Sequence, residues 1–338
     1  MKLILIGSDS IHVKNYITYI RPHVSEIVLI TEQFCNFEGI NRQHVIPFRL
    51  KNIFTFIRNY KIIANEICSS SGLIHIHQIN RLAIIAILAN KLCVQPVLTT
   101  AWGSDVLIVP KKNWFYTFLV RFVLINSKIC TADSKDIIHE INKMSPTTRC
   151  EWLQYGFNPV NPKIKENIIY SNRLHKAVYR IDAIINYFES FSRQYPDWKL
   201  VIAGNGVQTH KLIKQVETLK LESKIEFVGW LNDDQNREWY AKSKIFVSIP
   251  KSDGTSVSVL EAMSAECVLV LSDLPVTHEW ISVKTGVIEQ PEINPLIKAI
   301  AFCDSTILSQ NKEFVDSIAS RENSIQKFLH LYKEISKP

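Results

Sequence analysis

Ser252-Asp-Gly-Thr-Ser-Val-Ser-Val-Leu-Glu-Ala-Met263 follows the apolar run Ile245-Phe-Val-Ser-Ile249 and Pro250. The run reads as a short buried strand, the polar stretch after it as a loop, and the apolar residues from 257 onward as a helix. Gly254, Thr255 and Ser256 let the loop backbone come close to a ligand. Their N–H groups and the helix N-terminus, with about half a positive charge, make a seat for an anion. Asp253 and Glu261, with seven residues between them, flank that seat. The plainer reading of the same residues is an ordinary helix start, with Ser or Thr as N-cap and Glu261 on a solvated face.

The strand–loop–helix unit recurs on both sides of this stretch. Upstream stand Leu3-Ile-Leu-Ile6 ending at Gly7, Ile27-Val-Leu-Ile30, Leu73-Ile-His-Ile-His77, Val97-Leu-Thr-Thr100 and Ile129-Cys-Thr-Ala132. Later come residues 168–170, a helix at 182–195, Leu200-Val-Ile-Ala203 ending at Gly204, then 225–228 and 268–271. Short apolar strands separated by helices predict parallel sheets covered on both faces. The proline-containing Asn158-Pro-Val-Asn-Pro-Lys-Ile-Lys165 interrupts the pattern as a linker. A chain of 338 residues also exceeds what one core of roughly 250–300 residues serves. Two doubly wound α/β domains follow. In such sheets ligands lie beyond the carboxyl ends of the strands, so the polar residues there are the candidates. The segment 313–337 reads as one helix.

Composition narrows the class. Hydrophobic residues make up 46% and charged residues 21%, as in a soluble globular protein. A net charge of +7 suits nucleic acid, anionic lipid or a phosphorylated ligand, but no dense Lys/Arg block favours nucleic acid. Seven scattered cysteines without a CxxC pair predict buried thiols in a reducing compartment and no disulfide framework. The N-terminal apolar run is too short for a secretory signal, and no run reaches the roughly 20 residues of a membrane span. Lys111-Lys-Asn-Trp-Phe-Tyr-Thr-Phe-Leu-Val-Arg-Phe-Val-Leu-Ile125 has two readings, an interfacial membrane contact or a buried helix with a solvated start.

The stretch from 252 to 263 resembles the E-x7-E signature of family-4 glycosyltransferases, the group 1 glycosyltransferases of surface polysaccharide synthesis, with Asp at the first acid. The resemblance implies the GT-B fold: two Rossmann-like, doubly wound parallel-sheet domains facing each other across a cleft that closes over the substrates. Residues 1–160 then form the acceptor-side domain and 161–318 the nucleotide-sugar domain, while 319–338 form a helix crossing back to the first. By the same resemblance Glu261 holds the ribose hydroxyls, Asp253 the donor sugar, and the amides of Gly254, Thr255 and Ser256 the diphosphate. Arg173 stands where the family keeps a phosphate-binding Arg. Its partner cation is Lys176, with Arg180 as the alternative, because Tyr179-Arg-Ile-Asp182 resembles a branch with Tyr in the lysine's place.

Gly204-Asn-Gly206 resembles the family's strand–Gly–x–Gly turn and Ile225-Glu-Phe-Val-Gly-Trp-Leu231 the strand beside the base, where Trp230 lines the base pocket or serves packing. Thr209 stands where a dinucleotide fingerprint needs its third glycine. His75-Ile-His77 resembles the H-x-H strand end that puts His77 at the reaction centre. Gly7 and His12 lie in the loop that approaches the phosphates and acceptor. In Thr100-Ala-Trp-Gly-Ser-Asp105, Trp102 stacks on a sugar ring, and Asp105 either accepts sugar hydroxyls or caps a helix.

What the resemblance implies is a retaining, metal-independent transfer of a hexose-type sugar from a nucleoside-diphosphate sugar to a glycan or lipid-linked acceptor. No DxD motif or zinc-ligand spacing is present, so no cofactor and no metal are expected. The expected location is cytoplasmic, with peripheral contact at the inner face of the membrane. Two other readings stand beside it: a nucleotide-sugar epimerase of the same fold, and a non-catalytic nucleotide-sugar-binding subunit.

Overall fold

The computed structural model describes every residue except 48, 50, 51, 70, 282–284, 291, 304, 305 and 338. The chain divides into two compact units, Met1–Tyr155 with Glu322–Pro338, and Gly156–Arg321.

The first unit runs β1 (Lys2–Ile6), α1 (Ile11–Ile20), β2 (Glu26–Thr31), β3 (Arg42–Val45), α2 (Ile53–Cys68), β4 (Leu73–His77), α3 (Arg81–Asn90), β5 (Val97–Ala101), α4 (Trp114–Ile125), β6 (Ile129–Ala132), α5 (Lys135–Met144) and β7 (Cys150–Trp152). Its strands form one parallel sheet in the order β3-β2-β1-β4-β5-β6-β7. The unbroken Ile/Leu/Val runs of the inner strands arise because helices cover both faces. Helices α2 to α5 bury Ile63, Leu82, Val123 and Ile137 on one face. Each of α1 to α5 begins at a Ser or Asn whose side chain accepts a backbone N–H of the first turn.

The second unit runs β8 (Glu166–Ser171), α6 (Ile181–Gln194), β9 (Lys199–Ala203), α7 (Thr209–Thr218), β10 (Ile225–Gly229), α8 (Asp233–Lys242), β11 (Ser243–Ser248), α9 (Val257–Ser264), β12 (Val268–Leu271), α10 (Thr277–Trp280), β13 (Gly286–Ile288), α11 (Pro295–Ile300) and α12 (Ile307–Ala319). Its parallel sheet has the order β10-β9-β8-β11-β12-β13. The last helix, α13 (Arg321–Ile335), packs on the other face of the first sheet, where Phe328 and Tyr332 are buried with Leu3, Leu5 and Leu29.

Four features depart from the sequence reading. Strands β3, β7 and β13 were not legible, being short edge strands. Arg42-Gln-His-Val45 and Cys150-Glu-Trp152 are wholly or partly exposed and so need no apolar run. The helix expected over 313–337 is two helices, broken where Ser320 turns extended (φ −60°, ψ 150°). The 158–165 linker is tied down by Val160 N–H donating to Ser264 Oγ (2.8 Å) and Lys163 N–H to the Ala241 carbonyl (3.0 Å). Cys68 and Cys93 form a disulfide across the ends of α2 and α3, with Cα atoms 5.5 Å apart, which corrects the expectation that every cysteine is a thiol. No helix among the described residues is long and apolar enough to cross a membrane.

Candidate active site

In the second unit, Arg173 leaves the carboxyl end of β8 and points at the loop before α9. Its Nη2 pairs with Asp253 Oδ2 at 2.5 Å and its Nη1 donates to Ser256 Oγ. The guanidinium also lies over the Tyr179 ring, 4.5 Å from its centre, which fixes its plane. Ser256 is the N-cap residue of α9, yet its hydroxyl serves Arg173 and makes no cap bond. Gly254 N–H donates to Asp253 Oδ1 (3.1 Å). The sequence reading gave Arg173 and Asp253 separate ligands, whereas the structure joins them as a cation–carboxylate pair.

Lys176 is exposed. Its alternative, Arg180, is engaged within the second unit. Held at φ +53°, it pairs with Glu289 through both nitrogens (2.6 and 2.9 Å), and Tyr187 donates to the same carboxylate (2.7 Å). That cluster pins the start of α6 to the end of β13.

Gly204 and Gly206 lie under the Arg173–Lys176 turn. A Cβ on Gly204, which sits at φ +103°, would stand 2.7 Å from the Arg173 carbonyl, and one on Gly206 would stand 2.5 Å from that of His175. Chain packing requires both glycines, and through it they set the height of Arg173. His175 is buried there, its Nδ1 2.8 Å from Thr209 Oγ1. Trp230 is 69% exposed just past the end of β10.

Glu261 faces α8 from the middle of α9. Burial raises its carboxyl to about 7, against the pull of the Tyr240 hydroxyl bonded to it. Behind Tyr240, Asn172 Nδ2 donates to the Tyr240 hydroxyl (2.7 Å) and to Asn236 Oδ1 (3.1 Å), which also accepts from Tyr170 (2.6 Å). No local pattern marks Tyr240 or Asn236, which come together near Glu261 only through the fold.

In the first unit, the two histidines of β4 separate in role. His75 is satisfied: Nδ1 is 2.5 Å from the Tyr332 hydroxyl of α13 and Nε2 is 2.7 Å from Thr100 Oγ1. His77 is buried among Tyr16, His75, Trp102 and Tyr155, and neither ring nitrogen has a protein partner. Burial, with the nearby His12, holds it down to about 3, so it is a neutral imidazole. His12 stands edge-on to Trp102 at 5.0 Å. The Trp102 Nε1–H is buried without a partner. Gly7 is buried, its N–H on the Ile30 carbonyl, with Val13 and His77 packed around it.

Asp105 does not reach out to a ligand. It is buried, accepting Ile79 N–H (2.8 Å) and Trp102 N–H (3.0 Å), so it ties the β5 loop to the β4 loop. Sugar binding and helix capping are both replaced by this loop-bracing role.

Known proteins fit this geometry. The model for Glycosyl transferase 4-like proteins matches residues 2–134, and that for Glycosyl transferases group 1 matches 157–303. A Campylobacter jejuni N-acetylgalactosaminyltransferase acting on a diphospho-undecaprenol-linked sugar is 25% identical over 46% of this chain and 44% of its own length. The N-acetyl-alpha-D-glucosaminyl L-malate synthase of Bacillus anthracis is 22% identical over 65% of this chain and 66% of its own length. The chain thus spans less than two thirds of these relatives. Anabaena HepE, solved with UDP, superposes with a TM-score of 0.80 over 98% of this chain and 99% of HepE at 11% identity. Two doubly wound parallel sheets, an Arg–Asp pair at a helix start and an acid further along that helix coincide with these matches: the chain belongs to the group 1 glycosyltransferases and has their GT-B fold.

Proposed function

We propose that the chain transfers a hexose-type sugar from a nucleoside-diphosphate sugar to a hydroxyl of a glycan or lipid-linked saccharide, with retention and without a metal. One observation carries this reading: Arg173, Asp253 and Ser256 converge at the uncapped start of α9, with Glu261 further along the same helix. The diphosphate takes the Arg173 guanidinium and the amides of Gly254, Thr255 and Ser256, with Lys176 as a second cation. Fixed positive charge there stabilises the departing nucleoside diphosphate, the service a metal supplies elsewhere. Glu261 accepts the ribose hydroxyls, Trp230 stacks on the base beside the Gly204–Gly206 turn, and Asp253 turns from Arg173 to the sugar hydroxyls.

Neutral His77 offers one nitrogen as donor and one as acceptor to sugar hydroxyls. His12 and Trp102 receive the acceptor. In the transfer the acceptor oxygen bonds to the anomeric carbon as the bond to phosphate breaks. The acceptor proton passes to the leaving phosphate oxygen on the same face, which retains configuration. The names of the relatives support a lipid-linked or surface-polysaccharide acceptor, and hence work at the inner face of a cell membrane.

A thermal-shift screen with UDP, GDP, CDP, ADP and dTDP in EDTA tests the reading. One nucleotide at 100 times its Kd adds about 2.7 kcal/mol to wild type and nothing to Glu261→Ala. No stabilisation by any of them overturns it. Anomer analysis of the product by NMR tests retention, and an inverted product overturns that part.

A further inference from the structure

Behind Glu261 runs a chain of side chains in which each hydrogen bond has its direction forced. It starts on α8. Asn236 Nδ2 faces the backbone carbonyls of Leu231 (3.3 Å) and Asn232 (3.2 Å), and a carbonyl only accepts. Asn236 Oδ1 is therefore turned the other way, where it accepts from the Tyr170 hydroxyl (2.6 Å) and from Asn172 (3.1 Å). The atom that Asn172 presents is then its amide nitrogen. The second hydrogen of that nitrogen goes to the Tyr240 hydroxyl oxygen at 2.7 Å. Ser258 bonds the same oxygen. With its oxygen accepting, Tyr240 has its own proton to give, and the Glu261 carboxyl takes it as a hydrogen bond.

Packing alone does not favour an amide at position 172. Asn172 Oδ1 is buried with no partner among the described residues, a cost that an apolar side chain of the same shape avoids. Asn172 also stands next to Arg173 in the chain, and Asn236 holds the loop just past Trp230. One network thus ties the turns that carry Arg173 and Trp230 to Glu261. A donated proton favours an ionised carboxylate. Tyr240 exerts the largest pull toward that form; Arg321 and Arg237 add to it, while burial and Asp233 oppose it.

We infer that Asn172 and Tyr240 are positioning residues for Glu261: Asn172 sets the direction of the Tyr240 hydroxyl, and that hydroxyl holds one lone pair of the carboxylate and leaves the others for ribose hydroxyls. The purpose of this relay rests on the transferase reading above, which makes Glu261 the ribose ligand. The relay itself can be read in the free chain.

The full chain, Asn172→Leu, Tyr240→Phe and the double variant are titrated across neutral pH. The ligands are whichever of UDP, GDP, CDP, ADP and dTDP stabilises the wild type, and its counterpart differing only at the ribose 2′ position. Each single substitution weakens the ribonucleotide roughly tenfold or more, the worth of one hydrogen bond to a charged group. The double variant binds no more weakly than Tyr240→Phe. The 2′-deoxy form loses less, so discrimination between the two narrows. The pH at which affinity rises moves above the wild-type value of about 7, because a donor that favoured the ionised form is gone. Asn172→Leu leaves every ring in place and gives the answer if Tyr240→Phe does not fold. Losses that add in the double variant, equal losses on both nucleotides, or an unmoved pH midpoint overturn the relay. If no nucleotide binds the wild type, urea unfolding against pH decides. Stability that goes on falling to a higher pH in the variants than in the wild type keeps the relay and rejects the transferase reading alone; identical profiles reject both.

Discussion

Glu261 is under two opposed demands. A carboxylate that accepts ribose hydroxyls must be ionised, yet burial favours its proton and lifts it to about 7 from an ordinary value of 4.5. In the unfolded chain it titrates near that ordinary value. Between the two values the folded state binds more protons, so the free chain loses stability as pH rises from about 4.5 to about 7 and levels off above. Glu261→Gln therefore stabilises the free chain at pH 8 by on the order of 2–3 kcal/mol and leaves it unchanged near pH 4, as read by urea unfolding at both values. The same variant weakens nucleotide binding, and wild-type affinity improves as pH rises through 7. Matching pH profiles for wild type and variant would show that the carboxyl is not strained.

The neutral state of His77 has its own signature: its ring-proton NMR shifts stay flat from pH 8 to pH 5, across the range where an ordinary histidine titrates near 6.5. A midpoint in that range would mean that water or a counter-charge reaches the ring.

Asp253 and Glu261 were legible because one loop and one helix hold both. Asp105 was legible as important but not in its role, since its partner, the Ile79 amide, belongs to a neighbouring strand's loop. Tyr240 had no signal at all, because nothing near it in sequence says that it turns toward Glu261.

At the scale of elements, the turn carrying Arg173 rests on the glycines of the β9 turn. Gly206→Ala pushes a methyl into the His175 carbonyl and costs about 1–3 kcal/mol, and it moves Arg173 away from Asp253 and Ser256. Nucleotide affinity should fall more than stability does, since the loops can part while both sheets remain. A chain that keeps wild-type nucleotide affinity would show that the close approach is not required.

The link between α2 and α3 is read by thiol counting. The unreduced protein in denaturant should give five reactive thiols, those of Cys35, Cys130, Cys150, Cys267 and Cys303, and seven after reduction. Cross-linking residues 25 apart adds about 3 kcal/mol on the chain-entropy account. Seven thiols without reductant would return Cys68 and Cys93 to the ordinary buried class. Cysteine spacing held no hint of the pair, which depends on two helix ends meeting. Edge strands escaped for a related reason: Arg42-Gln-His-Val45 contributes ladder hydrogen bonds but no buried face, and burial is what writes a strand into a sequence.

At the scale of the molecule, the two-sheet plan could be read from the inner strands alone, because each has to be apolar on both sides. The association of α13 with the first sheet could not be read from periodicity. An amphipathic helix shows that it packs, and not on what. There it buries Ile325, Phe328, Leu331 and Tyr332. Ending the chain after Ser320 uncovers that face and removes the Tyr332 hydroxyl from His75 and Tyr16. The expected result is loss of the first unit's thermal transition, with a nucleotide-stabilised transition retained by the second. Two intact transitions would show that α13 is dispensable.

The order of synthesis follows from that helix. A ribosome adds residues at about 5–20 per second, and domains generally close as they emerge. Here the sheet made first is completed last: the growing chain holds the first sheet with one greasy side bare while the whole of the second unit is made, folds and releases the final helix. The younger half of the protein matures before the older one, and the older half is the part a chaperone has to shelter.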